Sequence, residues 1–176
     1  MDFINEPFDI RLLPKAEDVP LTPIEKAYLL VIRIEWGISA TVLLITGTVL
    51  IFSVKSLQHP VWIFSIFAGL IALAFGYAVV QTKSFSQKAY ALRDKDVIYR
   101  SGWIVQKTHT CPFNRIQHSS VTTGFFERKY GLATLILYTA GTDETDLQIP
   151  GLKEADAYAM KEWITQQIIH EEQPGA

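Results

Sequence analysis

WGISATVLLITGTVLIFSV, from Trp36 to Val54, and PVWIFSIFAGLIALAFGYAVV, from Pro60 to Val80, decide how the rest of this chain is read. Neither run contains Asp, Glu, Lys or Arg, and they hold 19 and 21 residues. As helices at about 1.5 Å per residue they reach roughly 28 and 31 Å, close to the hydrocarbon thickness of a bilayer at about 30 Å. Two such runs packed in water would have no polar face to present to it, so they read as two transmembrane spans. Only five residues, Lys55 to His59, join them, which forces an antiparallel hairpin. Pro60 suits the first turn of the second helix, where its missing N–H leaves no bond unmade. Trp36, Trp62 and Tyr77 stand near the span ends, where amphipathic aromatics prefer to lie.

Basic residues orient the hairpin. Lys83, Lys88, Arg93, Lys95 and Arg100 follow the second span, and Lys26 and Arg33 precede the first. The loop between the spans has only Lys55. The positive-inside rule then places both termini in the cytoplasm. The first ten residues carry no Lys or Arg and no apolar core of leader length, so no cleaved signal peptide is expected. Glycines at 37, 47, 69 and 76 allow the two helices to approach closely. Ordinary packing within the hairpin explains them more simply than a dimer face.

The remaining chain looks globular. The whole sequence has 49% hydrophobic and 19% charged residues with a net charge of −2, so a nucleic-acid partner is not expected. Its single cysteine, Cys111, rules out an internal disulfide framework. Upstream of the spans, Thr22-Pro23-Ile24-Glu25 has the composition of a helix start, with Thr22 as cap, Pro23 first and Glu25 completing a capping box. The helix would be short, amphipathic and interfacial, and would run into the first span. Earlier still, Phe8, Ile10 and Leu12 alternate with Asp9 and Arg11, the pattern of a strand waiting for a partner or of a loose tail.

From Ser84 the texture changes to short β segments with turn signals between them. These are Lys88–Arg93, Val97–Arg100, Trp103–Cys111, Ile116–Thr123, Ala133–Thr139 and Asp146–Ile149. Leu135 and Leu137 face one way and Ile136 and Tyr138 the other, as in a central strand. Phe125 to Gly131 reads as a helical turn with a glycine stop. Leu152 to Ile169 carries an apolar stripe of Leu152, Ala155, Ala159, Met160, Trp163, Ile164 and Ile168, as expected of a helix packed on a sheet.

Several of these segments resemble a known family. Cys111-Pro112-Phe113-Asn114-Arg115-Ile116-Gln117 is similar to the P-x-x-R-I-Q signature of bacterial PH-like domains of the YdbS type. Gly124 to Ala133 resembles the family's Leu-x-Arg-x-Phe-Gly-Leu-Ala stretch, with Phe126 where leucine is common and Tyr130 where phenylalanine is common. Thr139-Ala140-Gly141 and Ile149-Pro150-Gly151-Leu152 look like its turn and its lead into the last helix. The resemblance implies a mainly-β PH-like domain, two antiparallel sheets with a C-terminal capping helix, following a transmembrane α-helical hairpin. It also implies a non-enzymatic bacterial inner-membrane protein that sits beside a larger membrane protein.

The chain then divides into an N-terminal cytoplasmic tail (1–21), the amphipathic helix and hairpin (22–83), the cytoplasmic PH-like domain (84–170) and a polar tail (171–176). The expected role is protein–protein interaction within a membrane complex, with a membrane-protein partner or self-association. The alternative is binding of lipid headgroups. No cofactor, metal, nucleic acid or small-molecule substrate is expected. His109, Cys111 and His118 lack the spacing of a zinc site. Asp143, Glu144 and Asp146 lack that of an EF-hand. Neither span holds an ionisable group other than Tyr77, which argues against intramembrane catalysis. The residues singled out for interaction are Arg115, Gln117, Arg128, Lys129, Phe8, Ile10 and Leu12. Arg115, Arg128 and Lys129 could meet anionic headgroups, or the two arginines could hold their turns together through carbonyls or Glu127.

Overall fold

A computed structural model describes residues 19–54, 59–139 and 146–172. Phe8, Ile10 and Leu12, most of the hairpin loop, and the turn from Ala140 to Glu144 lie outside the described residues. The order is β1 (Thr22–Pro23), α1 (Tyr28–Ser53), α2 (Pro60–Phe85), β2 (Ala89–Leu92), β3 (Asp96–Ser101) and β4 (Lys107–Pro112). A 3-10 turn (Phe113–Arg115) leads to β5 (Ile116–Thr122), α3 (Phe125–Lys129), β6 (Leu132–Thr139), β7 (Leu147–Lys153) and α4 (Glu154–Glu172).

α1 and α2 each have 26 residues, long and apolar enough to cross a membrane. His59 caps α2, its Nδ1 accepting the Val61 N–H at 3.5 Å, with Pro60 in the first turn as the sequence predicts. α2 has no buried residue, and α1 buries only Val31 and Ile51. Phe52 and Phe64 are 76% and 77% exposed. So much apolar surface turned outward is compatible with a membrane hairpin. Hydroxyls that would be stranded there turn back on their own helix, as Thr41 Oγ1 does to the Gly37 carbonyl at 2.8 Å. Of the four glycines in the two helices, Gly47 is the one in close contact: a Cβ there would lie 3.0 Å from Leu70 Cδ1. Gly37, Gly69 and Gly76 face open space.

The globular part has two antiparallel sheets, β1-β2-β3-β4 and β5-β6-β7, with α4 packed on the second. β6 is central in its sheet, as its two apolar faces predict. Val97, Phe113, Leu135, Leu137, Ile149, Leu152, Met160 and Ile164 form the core between sheets and helix. Each such side chain contributes about 1.5–3 kcal/mol on full burial. Trp163 of α4 stands edge-on to Phe113 at 5.4 Å. Pro150 falls where the β6–β7 register shifts on an edge strand, the place where a missing N–H is tolerated.

One local expectation is overturned. Thr22 and Pro23 do not start a helix; they pair with Tyr90 and Ala89 of β2. The Ile24 N–H reaches the Lys88 carbonyl, and the Glu25 N–H the Gly151 carbonyl at 3.0 Å. Glu25 pairs with Lys153 at 3.4 Å and forms no capping box. The tertiary partners satisfy the backbone groups that a cap would have served, so α1 begins only at Tyr28, with Ala27 as an uncapped N-cap. The segment joins both sheets to the base of α1. Strand ends also shift: Trp103–Gln106 form a turn and not part of β4, and β7 runs on through Lys153.

Candidate functional site

Two concave regions stand out. The first is a groove of about 660 Å³ between β4 and the start of β7. His109, Thr110, Cys111 and Pro112 form one wall, Asp146, Leu147 and Gln148 the other, with Tyr99 and Thr139 on its surface and Arg115 beside it. β4 and β7 are each the last strand of their sheet among the described residues. The Thr139 hydroxyl is buried there without a hydrogen-bond partner among the described residues. Burial pushes Tyr99 up to about 12, helped by the nearby Tyr28. The groove therefore offers backbone donors and acceptors, an apolar floor and charges of both signs.

The second is a cleft of about 320 Å³ at the base of the helix pair. Tyr28, Glu35, Trp36 and Ser39 of α1 face Tyr77 and Gln81 of α2, with Lys88 closing it. Gln81 Nε2 donates to the Tyr77 hydroxyl at 2.6 Å. Lys88 Nζ lies 5.3 Å from the centre of the Tyr28 ring, a cation–π arrangement. Burial pushes the Lys88 ammonium below its usual range.

The sequence candidates are spread over the fold. Arg115 ends the 3-10 turn and lines the groove. Gln117 is exposed at the irregularity in β5. Arg128 and Lys129 are exposed on α3, which packs on β6 and touches α1; neither lines the groove or the cleft. Glu127 does not serve Arg128. Its buried carboxylate accepts the Gly124 N–H and the Thr134 hydroxyl, both at 2.8 Å. His118 stacks on Tyr138 at 4.2 Å, in the sheet opposite His109. Sequence reasoning missed the cleft. Its one signal was the position of Glu35 just before the first apolar run and of Tyr77 and Gln81 at the end of the second.

Two antiparallel sheets closed by a C-terminal helix define a PH-like domain. A family model described as "Bacterial PH domain" matches residues 27–168, and the chain belongs to that family. The match includes both long apolar helices as well as the sheets. A solved structure, a DUF1696 family protein with a pleckstrin-homology domain from Shewanella loihica PV-4, is 20% identical with a TM-score of 0.37. That likeness covers 46% of this chain and 70% of the other. None of the curated proteins compared with the chain matches it.

Proposed function

We propose that the protein is a two-span inner-membrane protein of the YdbS type that holds its PH-like domain at the cytoplasmic face to bind another membrane protein. PH domains are generally non-catalytic interaction modules, and the reading treats this one as such. The observation that carries it is the groove between β4 and β7, each the last strand of its sheet among the described residues. Free edges recruit extended segments by main-chain hydrogen bonding, and side-chain pockets beside them supply selectivity. A photo-crosslinking residue at His109 or Gln148, in native membranes, is expected to capture one defined membrane protein. Absence of any adduct at both positions, with the protein intact and abundant, contradicts the reading.

The cleft favours a second reading, recognition of lipid headgroups. With the spans in the bilayer it lies at headgroup depth, and Lys88 is held there without an ion pair among the described residues. Phospholipid retained by the purified protein and lost on Lys88→Met would support that role. Unchanged lipid retention would remove it.

A further inference from the structure

Outside the helix pair (residues 28–85) and α4, the large apolar side chains left exposed among the described residues are Trp103, Ile104, Val105 and Phe125. They fall on two tips, and the register places both tips at the same end of the molecule. β2 begins at Ala89, four residues after α2 ends, and Ala89 pairs with Arg100 of β3. The chain past Arg100 therefore runs back toward the level at which α2 leaves off. At about 3.3 Å per residue, the turn from Gly102 to Gln106 carries Ile104 roughly 10 Å beyond that pair. Gly102 makes the turn possible: its φ is +94°, and a Cβ would lie 2.1 Å from the Val105 carbonyl oxygen.

The second sheet gives the same answer independently. α3 touches α1, and β7 meets α1 where Gly151 lies against Tyr28. Phe125, at the start of α3, is 82% exposed and stands edge-on to Phe126 at 5.3 Å. The β2–β3 turn lies at the opposite end of its sheet, where Arg93 and Asp96 form an ion pair and no large apolar group is exposed. Cations accompany both apolar tips. Lys107 pairs with Ser101 at the base of the first, and Arg128 and Lys129 follow Phe125. Aromatic and aliphatic groups ringed by Lys and Arg match the boundary between acyl chains and phosphates.

We infer that the β3–β4 tip (Trp103-Ile104-Val105) and Phe125 insert into the cytoplasmic leaflet beside the helix hairpin, so that the domain is seated on the lipid at two points and not merely tethered. This rests on the membrane reading above and specifies the orientation of the domain on the bilayer. The groove starts near the tip at Ser101, and the seating leaves its other end, lined by Thr139 at the far end of β6 and by Asp146 just before β7, turned away from the lipid and open to a protein.

The test uses the full chain in phosphatidylethanolamine–phosphatidylglycerol vesicles, with an environment-sensitive fluorophore on single cysteines in a Cys111→Ala background. The positions are Ile104→Cys, Phe125→Cys, Lys95→Cys on the far turn, and Phe64→Cys within α2. Acyl chains brominated at different depths act as quenchers. The expected result is quenching at 104 and 125 by bromines near the headgroup end, deep quenching at 64, and none at 95. Quenching at 64 with 104 and 125 behaving like 95 overturns the seating but keeps the spans. Absence of quenching at 64 overturns both.

Discussion

Gly151 lies against the ring of Tyr28 so closely that a Cβ on Gly151 would fall 2.6 Å from Tyr28 Cγ. Gly151 has φ +72°, and its carbonyl accepts the Glu25 N–H. One residue thus joins the last strand to the first turn of the first long helix. Gly151→Ala adds a positive-φ penalty to a steric clash, for an expected loss of about 2–4 kcal/mol. Thermal unfolding of the purified protein measures it. Adding Tyr28→Ala removes the clash and leaves the backbone term, so the double variant should lose less than the sum of the two single ones.

Glu127 is the one buried charged residue among those described. Glu127→Ala leaves the Gly124 N–H and the Thr134 hydroxyl unsatisfied, at an expected cost of about 2–4 kcal/mol. Glu127→Gln keeps an acceptor for the Gly124 N–H and should cost less than half as much. Denaturant unfolding of the two variants side by side gives the comparison; equal losses would show that the negative charge, and not the acceptor geometry, holds α3.

Tyr99 and Lys88 give stability opposite dependences on alkaline pH. Tyr99 is pushed up from 10.0 to about 12 by burial. The folded state keeps a proton that the unfolded chain releases, so its contribution is whole below pH 10 and lost as pH rises through about 12, on the order of 2 kcal/mol. Lys88 is pushed down from 10.5 by burial. The unfolded chain binds that proton more tightly, so stability rises with pH in the window beneath 10.5. Tyr99→Phe should flatten the fall seen in unfolding curves between pH 10 and 12, and Lys88→Met the rise below it.

Much of the architecture could be read in advance because its causes are local. Two uncharged runs fix α1 and α2. Leu135 and Leu137 opposite Ile136 and Tyr138 fix a central strand, and the Phe125–Gly131 stretch fixes a helical turn. The start of α1 could not be read so, because Thr22, Pro23 and Glu25 carry good local capping signals that lose to pairing with β2 and Gly151. The tip at Trp103–Val105 reads as strand because its residues are β-formers; it is a turn because Gly102 reverses the chain. The groove and the cleft depend on which distant segments meet. Spacing along the chain puts Arg115 near neither Gln148 nor Thr139, and Glu35 far from Lys88.

Packing between the two long helices makes a sharper claim than their composition. Gly47 faces Leu70 with no room to spare, whereas Gly69 faces open space. Gly47→Leu should cost about 1–3 kcal/mol of hairpin stability by overpacking, and Gly69→Leu should cost little. Thermal stability in mild detergent separates the two. Equal effects would place Gly69 against a second copy of the chain.

The placement of the domain inside the cell is tested most directly by cysteine accessibility. In a Cys111→Ala background, His59→Cys marks the end of the hairpin and Lys95→Cys the far turn of the domain. A membrane-impermeant maleimide applied to intact bacterial cells should label position 59 at once and position 95 only after the membrane is opened. Labelling of position 95 in intact cells, or of neither position until the membrane is opened, would contradict a cytoplasmic domain carried by a two-span hairpin.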